Sequence, residues 1–240
     1  MDFVQSAPVL ANQYTDDRVL RSYLARALPA SIGAAIERDL VELGAHASSA
    51  WYAARSSEPA EPVLTQWDAW GQRIDRIETT PVWREGAALT ARYGFVAAGH
   101  EKDHGEFARI DQFARVYLYH VASEFYTCPL AMSDGAATAL KASNNPALRE
   151  RALPHLLARD PSQLWLSGQW MTELGGGSDV GATATTAHRG SDGRWRLRGR
   201  KWFTSAVVGE MALTLARPEG AGDGSRRRRT CVVLCRNANR

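Results

Sequence analysis

Gly168-Gln169-Trp170-Met171-Thr172-Glu173-Leu174-Gly175-Gly176-Gly177-Ser178-Asp179 is the stretch around which the chain is organised. The residues leading into it, Leu164 to Met171, are apolar and aromatic with small residues interspersed, a pattern that suits a strand buried on at least one face. A Thr-Glu pair and three glycines follow. Lacking a Cβ, Gly175, Gly176 and Gly177 allow positive φ and a close approach to a flat or charged ligand. Ser178 and Asp179 add a hydroxyl and N–H groups at the far end of the loop. The pattern fits a flexible connection between strands. It equally fits a cradle for a phosphorylated cofactor, built from a strand end, a glycine hinge and a second hydroxyl. It is neither a Walker A loop, since no Gly-Lys-Ser/Thr follows, nor a Gly-x-Gly-x-x-Gly dinucleotide fingerprint.

Downstream, Gly190-Ser191-Asp192-Gly193 signals a turn, and Trp195-Arg196-Leu197-Arg198-Gly199 alternates apolar with basic residues. The strand is expected to continue through Arg200-Lys201-Trp202-Phe203-Thr204-Ser205. Period-two geometry then puts Phe203 and Ser205 on one face and Trp202 and Thr204 on the other. A ring beside a hydroxyl can stack on, and hydrogen-bond, a planar heterocycle.

Met171-Thr172-Glu173, Gly177-Ser178-Asp179-Val180 and Gly199-x-Lys201-Trp202-Phe203-x-Ser205 together resemble the flavin-binding middle segment of the acyl-CoA dehydrogenase family. Upstream, Trp67-Asp68-Ala69-Trp70-Gly71-x-Arg73-Ile74-Asp75 and Pro81-x-Trp83 are similar to its alkylation-response, AidB-like branch. The similar segments span roughly residues 8–225.

The resemblance implies FAD as cofactor. Gln169, Trp170, Met171 and Thr172 would run along the isoalloxazine edge. The Thr172 N–H or hydroxyl would lie near the pyrimidine-side acceptors, where negative charge grows on reduction. Gly177 and Ser178 would hold the pyrophosphate. Phe203 stands where many members carry a Trp packed on the flavin, and Ser205 replaces the usual Thr at flavin N5, with Thr204 between them. Leu174 departs from the Pro that follows the Glu in fatty-acid dehydrogenases, so the substrate side of the site differs from theirs.

The family further implies an acyl-CoA-like substrate, oxidation of the Cα–Cβ bond beside the thioester, and homo-oligomers of the intact protein. Its AidB-like branch adds an alternative, a DNA-binding, alkylation-protection protein with structural FAD. An inactive truncated product is a further one. In the family the carboxylate base comes from a C-terminal helical bundle. No catalytic residue is therefore assigned within 1–240, and the motif position of Glu173 implies a structural role.

Composition agrees with a soluble globular protein: 45% apolar and 23% charged residues over 240 positions. No apolar run approaches the ~18 residues of a membrane span, and Met1–Pro8 has no secretory h-region. Three cysteines, Cys128, Cys231 and Cys235, form no disulfide or metal framework and suit a reducing compartment, so a cytoplasmic location is expected. The net charge of +3 includes the run Arg226–Arg229; outside that run electrostatics favour nucleic acid little. His100 and His104 sit four apart in a polar stretch without further ligands, so a surface pair is expected rather than a metal site.

The chain is therefore expected to be α+β: an all-helical N-terminal bundle over 1–160, then a partial antiparallel β-barrel holding the flavin over 161–225. Thr15-Asp16 and Ser31 are cap candidates for two helices. Ile32, Ile36, Leu40, Leu43, Ala47 and Trp51 form the second helix's stripe. Gln66 to Pro81 is rich in turn residues and aromatics, and a helix follows around Val82–Gly99. The longest periodic face, Phe107, Ile110, Ala114, Tyr117, Val121 and Phe125, is expected at the bundle centre. Two more helices, Met132–Ser143 and Ala147–Ala158, precede the strand. Residues 226–240 are expected to be an out-of-frame tail. Val233-Leu234-Cys235-Arg236-Asn237-Ala238 can be encoded so that a one-base shift spells Phe-Phe-Val-Glu-Thr-Arg, the string that the family pattern has here.

Overall fold

Asp17 accepts the Leu20 N–H at 2.8 Å and so caps α1 (Arg18–Ala27), one residue later than the Thr15-Asp16 signal. In the computed structural model, which describes residues 4–219 and 231–236, the chain divides into two compact units. The first comprises residues 1–127 with 157–162, the second 128–156 with 163–240.

In the first unit, α2 (Ala30–Ser56) begins directly after Pro29, without a side-chain cap from Ser31. Its Ile36, Leu40, Leu43 and Ala47 are buried, as the helical period predicts. Gly44 marks where the incoming chain crosses α2, because a Cβ there would lie 2.5 Å from Tyr14 N.

The turn-rich Gln66–Pro81 stretch contains an antiparallel hairpin that the sequence pattern did not reveal, β1 (Val63–Trp67) with β2 (Arg73–Glu78). Asp68 Oδ1 closes it by accepting the Trp70 and Gln72 N–H groups at 2.9 and 2.8 Å, while Gly71 supplies φ +80°. Both strands are largely exposed, so no buried face imposes an apolar alternation. Thr80 then caps α3 (Pro81–Tyr93), and Gly94, at φ +63°, ends it five residues short of Gly99. A short α4 (Ala98–Glu101) and a 3₁₀ turn lead into α5 (Ala108–His120). His100 is buried rather than on the surface, and His104 Nε2 lies 3.8 Å from Asp111 Oδ2.

The stripe expected at the bundle centre turns inward only in part, and polar residues of α5 share the buried side. Tyr117, Val121 and Phe125 are 57%, 73% and 83% exposed, whereas Asp111, Gln112 and Arg115 are buried with Ala114, Leu118 and Tyr119. Mutual satisfaction makes this burial tolerable. Arg115 Nε donates to Asp111 Oδ1 at 2.6 Å, and its Nη1 reaches Asp39 of α2 and the Tyr93 carbonyl. Gln112 Nε2 donates to the Phe95 carbonyl at 2.8 Å. These polar side chains join α5 to α2 and to the turn after α3, and the Phe95 and Tyr119 rings stack beside them at 4.6 Å.

The second unit contains α6 (Thr127–Ala142), α7 (Pro146–Leu156) and strands β3 (Ser167–Trp170), β4 (Thr186–Arg189), β5 (Trp195–Arg198), β6 (Met211–Pro218) and β7 (Cys231–Arg236). The α+β class holds, with an open and mixed sheet. β6 runs parallel to β3 (Ser167↔Met211 to Trp170↔Thr214) and, at its far end, to β4. β4 with β5 and β6 with β7 are the antiparallel pairs. Burial of Met211, Ala212, Leu213 and Thr214 in succession marks β6 as a strand covered on both faces. Ser133 of α6 accepts the Ser167 N–H at 2.9 Å, which fixes the start of β3. Residues 226–230 and 237–240 of the proposed out-of-frame tail lie outside the described residues; between them β7 pairs with β6 from Met211↔Arg236 to Ala216↔Cys231. Among the described residues, no helix is long and apolar enough to cross a membrane.

Removing Arg115 leaves the buried Asp111 carboxylate without its hydrogen-bonded guanidinium, with only the His104 ring 3.8 Å away. Arg115→Met is expected to lower unfolding free energy by about 3–5 kcal/mol, measured by urea denaturation, whereas the double variant Asp111→Leu/Arg115→Met should recover most of that loss.

Candidate cofactor site

The site grows from the exit of β3. Thr214 Oγ1 donates to the Trp170 carbonyl at 2.6 Å and so anchors the last strand residue to β6. The chain then folds back on itself. Glu173 N donates to Gly176 O at 3.2 Å and Gly176 N to Glu173 O at 3.0 Å, with Leu174 and Gly175 at the tip. Gly176 sits at φ +134°, a conformation that side chains rarely adopt. The glycine run is thus a closed turn pinned at its base, not a slack connection.

Glu173 is the centre of the arrangement. One carboxylate oxygen, Oε1, accepts from Lys201 Nζ at 2.8 Å, Thr185 Oγ1 at 2.6 Å, Thr185 N at 3.1 Å and Thr183 Oγ1. The other, Oε2, accepts from Ala184 N at 2.6 Å. Lys201 directs its three N–H bonds at Glu173, Thr183 Oγ1 (2.9 Å) and the Met171 carbonyl (3.4 Å). The side chains are only 13% and 9% exposed. Burial by itself would push the Glu173 carboxyl up. The Lys201 ammonium, the two threonine hydroxyls and the Ala184 amide outweigh it and hold the carboxyl far below the usual carboxylate range. A carboxylate so deeply committed cannot serve as a general base near neutral pH.

Lys201 belongs to the segment in which a continued strand was expected. That expectation is corrected. β5 ends at Arg198, Phe203 and Ala206 adopt φ +55° and +56°, and Ser205 N turns back to Phe203 O at 3.0 Å. The alternate-face placement of Phe203/Ser205 and Trp202/Thr204 therefore does not apply. The cause lies at Gly199, where a Cβ would come within 2.7 Å of the Thr185 backbone. The chain passes so close to Thr185 that it leaves the ladder and bends toward Thr172.

The bend brings the two predicted edges together. Trp202 N donates to Thr172 O at 2.9 Å, and Trp170 Nε1 donates to Ser205 O at 2.9 Å. Gln169 and Ser178 are exposed, Met171, Thr172 and Gly177 half-buried, Thr204 half-buried and Ser205 exposed. The Phe203 ring, 76% exposed, stands edge-on to Trp202 at 5.8 Å. Gly177 is pressed against Thr172, whose Oγ1 would lie 2.8 Å from an added Cβ. The backbone N–H groups of Thr172, Gly177 and Ser178 have no protein acceptor among the described residues. Free donors along one edge, with aromatic rings beside them, can receive an anionic, flat molecule.

Lys201, Thr183 and Thr185 were missed as site residues. Lys201 lies inside the Gly199-x-Lys201 string, and Thr183-Ala184-Thr185 alternates hydroxyls with a small residue. Both signals become meaningful only beside a buried carboxylate.

Residues 5–161 match the family model for the adaptive response protein AidB N-terminal domain, and residues 168–239 match the acyl-CoA dehydrogenase middle domain. Acyl-CoA dehydrogenase family member 11 of Caenorhabditis elegans is 39% identical over 221 residues, covering 90% of this chain and 36% of the relative. Putative acyl-CoA dehydrogenase AidB of Escherichia coli K12 is 32% identical over 169 residues, covering 66% and 31%. Among solved structures, the apo form of Bd2924 superposes with TM-score 0.88 at 41% identity, covering 98% of this chain and 48% of that one. Caenorhabditis elegans ACDH-11 in complex with C11-CoA superposes with TM-score 0.87 at 36% identity, covering 98% and 41%. The chain thus spans between 31% and 48% of the length of these relatives.

Lys201→Met strands Glu173 and is expected to destabilise the fold by about 3 kcal/mol and to open residues 174–179 to limited proteolysis. The sign of the pH effect follows from the depressed Glu173 carboxyl. Its stabilisation is complete at neutral pH and is lost as pH falls through the ordinary carboxylate range and below. Glu173→Gln should flatten that acid-side decline, read from urea unfolding between pH 7 and pH 3.

Proposed function

The chain belongs to the acyl-CoA dehydrogenase family, in its AidB-like branch, and on that footing we propose that it is the FAD-holding part of an oxidoreductase acting on the CH–CH bond of an acyl thioester. The observation that carries this proposal is the joining of the Trp170–Thr172 edge to the Trp202–Ser205 segment by two hydrogen bonds of 2.9 Å. It leaves unpaired donors and exposed rings on one contiguous surface.

The residues fit FAD. The Thr172 N–H and hydroxyl serve the polar edge of the ring, with Gln169, Trp170 and Met171 lining it. The Gly177 and Ser178 N–H groups and the Ser178 hydroxyl serve the pyrophosphate. Phe203 is a bulky residue held at positive φ with its ring in water. This costly combination supports a role in contacting a ligand. Thr204 and Ser205 complete the segment. FAD, when bound, supplies the acceptor for the hydride leaving the β carbon. The chain's own contribution is to orient the ring, to exclude water from the Phe203 side and to offer hydrogen bonds where charge accumulates. Glu173 does not take the α proton, because its carboxylate is saturated by five donors. The base is assigned to no residue of this chain. The C11-CoA bound to ACDH-11 supports an acyl-CoA as the substrate class.

Titration of the purified chain with FAD is expected to quench flavin fluorescence and to sharpen the visible flavin bands. Ser178→Ala should weaken binding by about fivefold, the equivalent of one hydrogen bond, and Gly177→Val should abolish it. A chain that leaves flavin fluorescence unchanged at saturating concentrations contradicts the proposal.

A further inference from the structure

The β4–β5 hairpin carries a row of charge that the flavin site does not use. Between Arg189 and Arg200 five arginines, all exposed, stand against one acid, Asp192. That acid is already committed within the hairpin. It accepts from Arg196 Nη1 and Nη2, each at 2.9 Å, and from the Arg194 N–H at 3.1 Å, and these bonds hold its carboxyl down at about 2. The side chains of Arg194, Arg198 and Arg200 bond no carboxylate among the described residues.

The ladder decides where these groups point. β4 and β5 are antiparallel, with Thr186 opposite Arg198 and His188 opposite Arg196. Gly190 N donates to the Arg194 carbonyl at 2.9 Å in the same register, and hydrogen-bonded pairs recur at every second residue of such a ladder. Arg194, Arg196 and Arg198 therefore bond inward to β4 through their backbones. The N–H and C=O groups of Trp195 and Leu197 point away from β4, and among the described residues no strand pairs with that edge. Side chains alternate too. Arg194, Arg196 and Arg198 share one face at spacings of roughly 7 Å. Leu197, half-buried, and Trp195, 54% exposed, lie on the other.

An open edge of this kind is a template for another strand, and charged side chains are the usual guard on it. Here the guard has one sign, so it repels a second copy of the same hairpin and admits a chain of opposite charge. We propose that the β5 edge docks an extended acidic segment of a partner protein as an added antiparallel strand. Its Asp or Glu residues, at every second position, face Arg194, Arg196 and Arg198, and the apolar residues between them lie over Trp195 and Leu197. The backbone of the segment meets the free N–H and C=O groups of Trp195 and Leu197, and its two-residue period matches the arginine row. Single-stranded nucleic acid fits this edge less well. A strand laid along the arginines runs on the face opposite the Trp195 ring, where no base can stack on it.

The probe is a short end-capped peptide alternating glutamate with valine. It is titrated into the full chain without FAD and followed by amide chemical shifts, so the outcome does not depend on the flavin site. Saturable shifts at Trp195 and Leu197 are expected. The double variant Arg194→Gln/Arg198→Gln should weaken binding about tenfold, the loss of two exposed ion pairs. A peptide of the same composition with its glutamates in one block should bind at least tenfold more weakly. N-methylation of the valines, whose N–H groups face β5 in the antiparallel arrangement, should abolish binding. Absence of saturable shifts at Trp195 and Leu197, undiminished binding to the double variant, equal binding of the block peptide or of the N-methylated one, or oligothymidylate moving the same amides at lower concentration each overturns the proposal.

Discussion

A carboxylate taken out of water must be met by donors on nearly every side, and Glu173 is what this requirement organises the second unit around. Its five donors come from two places far apart in sequence, the Thr183–Thr185 segment and Lys201. Because Lys201 also reaches the Met171 carbonyl, the chain leaving β3 and the chain leaving β5 cannot move independently. The Trp202–Thr172 and Trp170–Ser205 contacts follow from that constraint. So does the form of the glycine turn, whose base is the Glu173 backbone. Three residues that touch no proposed ligand atom, Glu173, Lys201 and Thr185, thereby set the geometry of those that do. Holding binding groups in place before the ligand arrives reduces the ordering cost of association.

The first unit solves a similar problem with a different cast. Asp111 and Arg115 place a buried ion pair, extended to the part-exposed Asp39, where an apolar helix face would be the simpler choice, and Gln112 adds a bond to the carbonyl of the turn after α3. Asp111, Gln112 and Arg115 lie on α5, Asp39 on α2 and the Tyr93 carbonyl at the end of α3, so the network specifies how α2, α3 and α5 meet in a way that interchangeable aliphatic contacts do not. The apolar face of α5, with Phe113 and Tyr117 more than half exposed, is left outward as a consequence.

The sequence was legible wherever one rule decided the outcome. The stripe on α2 lies on the buried side because periodicity alone places it, and the glycine turn is where Gly175-Gly176-Gly177 suggested, since only glycine accepts φ +134° at Gly176. Legibility failed where a partner distant in the chain overrides local pattern. Hydropathy ranks the stripe from Phe107 to Phe125, which runs past both ends of α5, as an inner face, and it is blind to an arginine that brings its own counter-charges inside. Alternation reads Arg200–Ser205 as strand and cannot register that Gly199 abuts Thr185. The β1–β2 hairpin left no apolar alternation because water bathes most of both strands. The Met-Thr-Glu and Gly-x-Lys strings were informative as a family resemblance, but the reason they co-occur, a salt bridge between them, appears only in three dimensions.

The central claim is that the Glu173–Lys201 pair holds two edges in register so that their free N–H groups await a flavin. Residue-resolved hydrogen exchange of the full chain, with and without FAD, tests it most directly. The Trp202 amide is expected to be protected in both states, and the Thr172, Gly177 and Ser178 amides to gain protection only when FAD is present. A Trp202 amide that exchanges freely without FAD, or Thr172, Gly177 and Ser178 amides indifferent to its addition, would contradict the account.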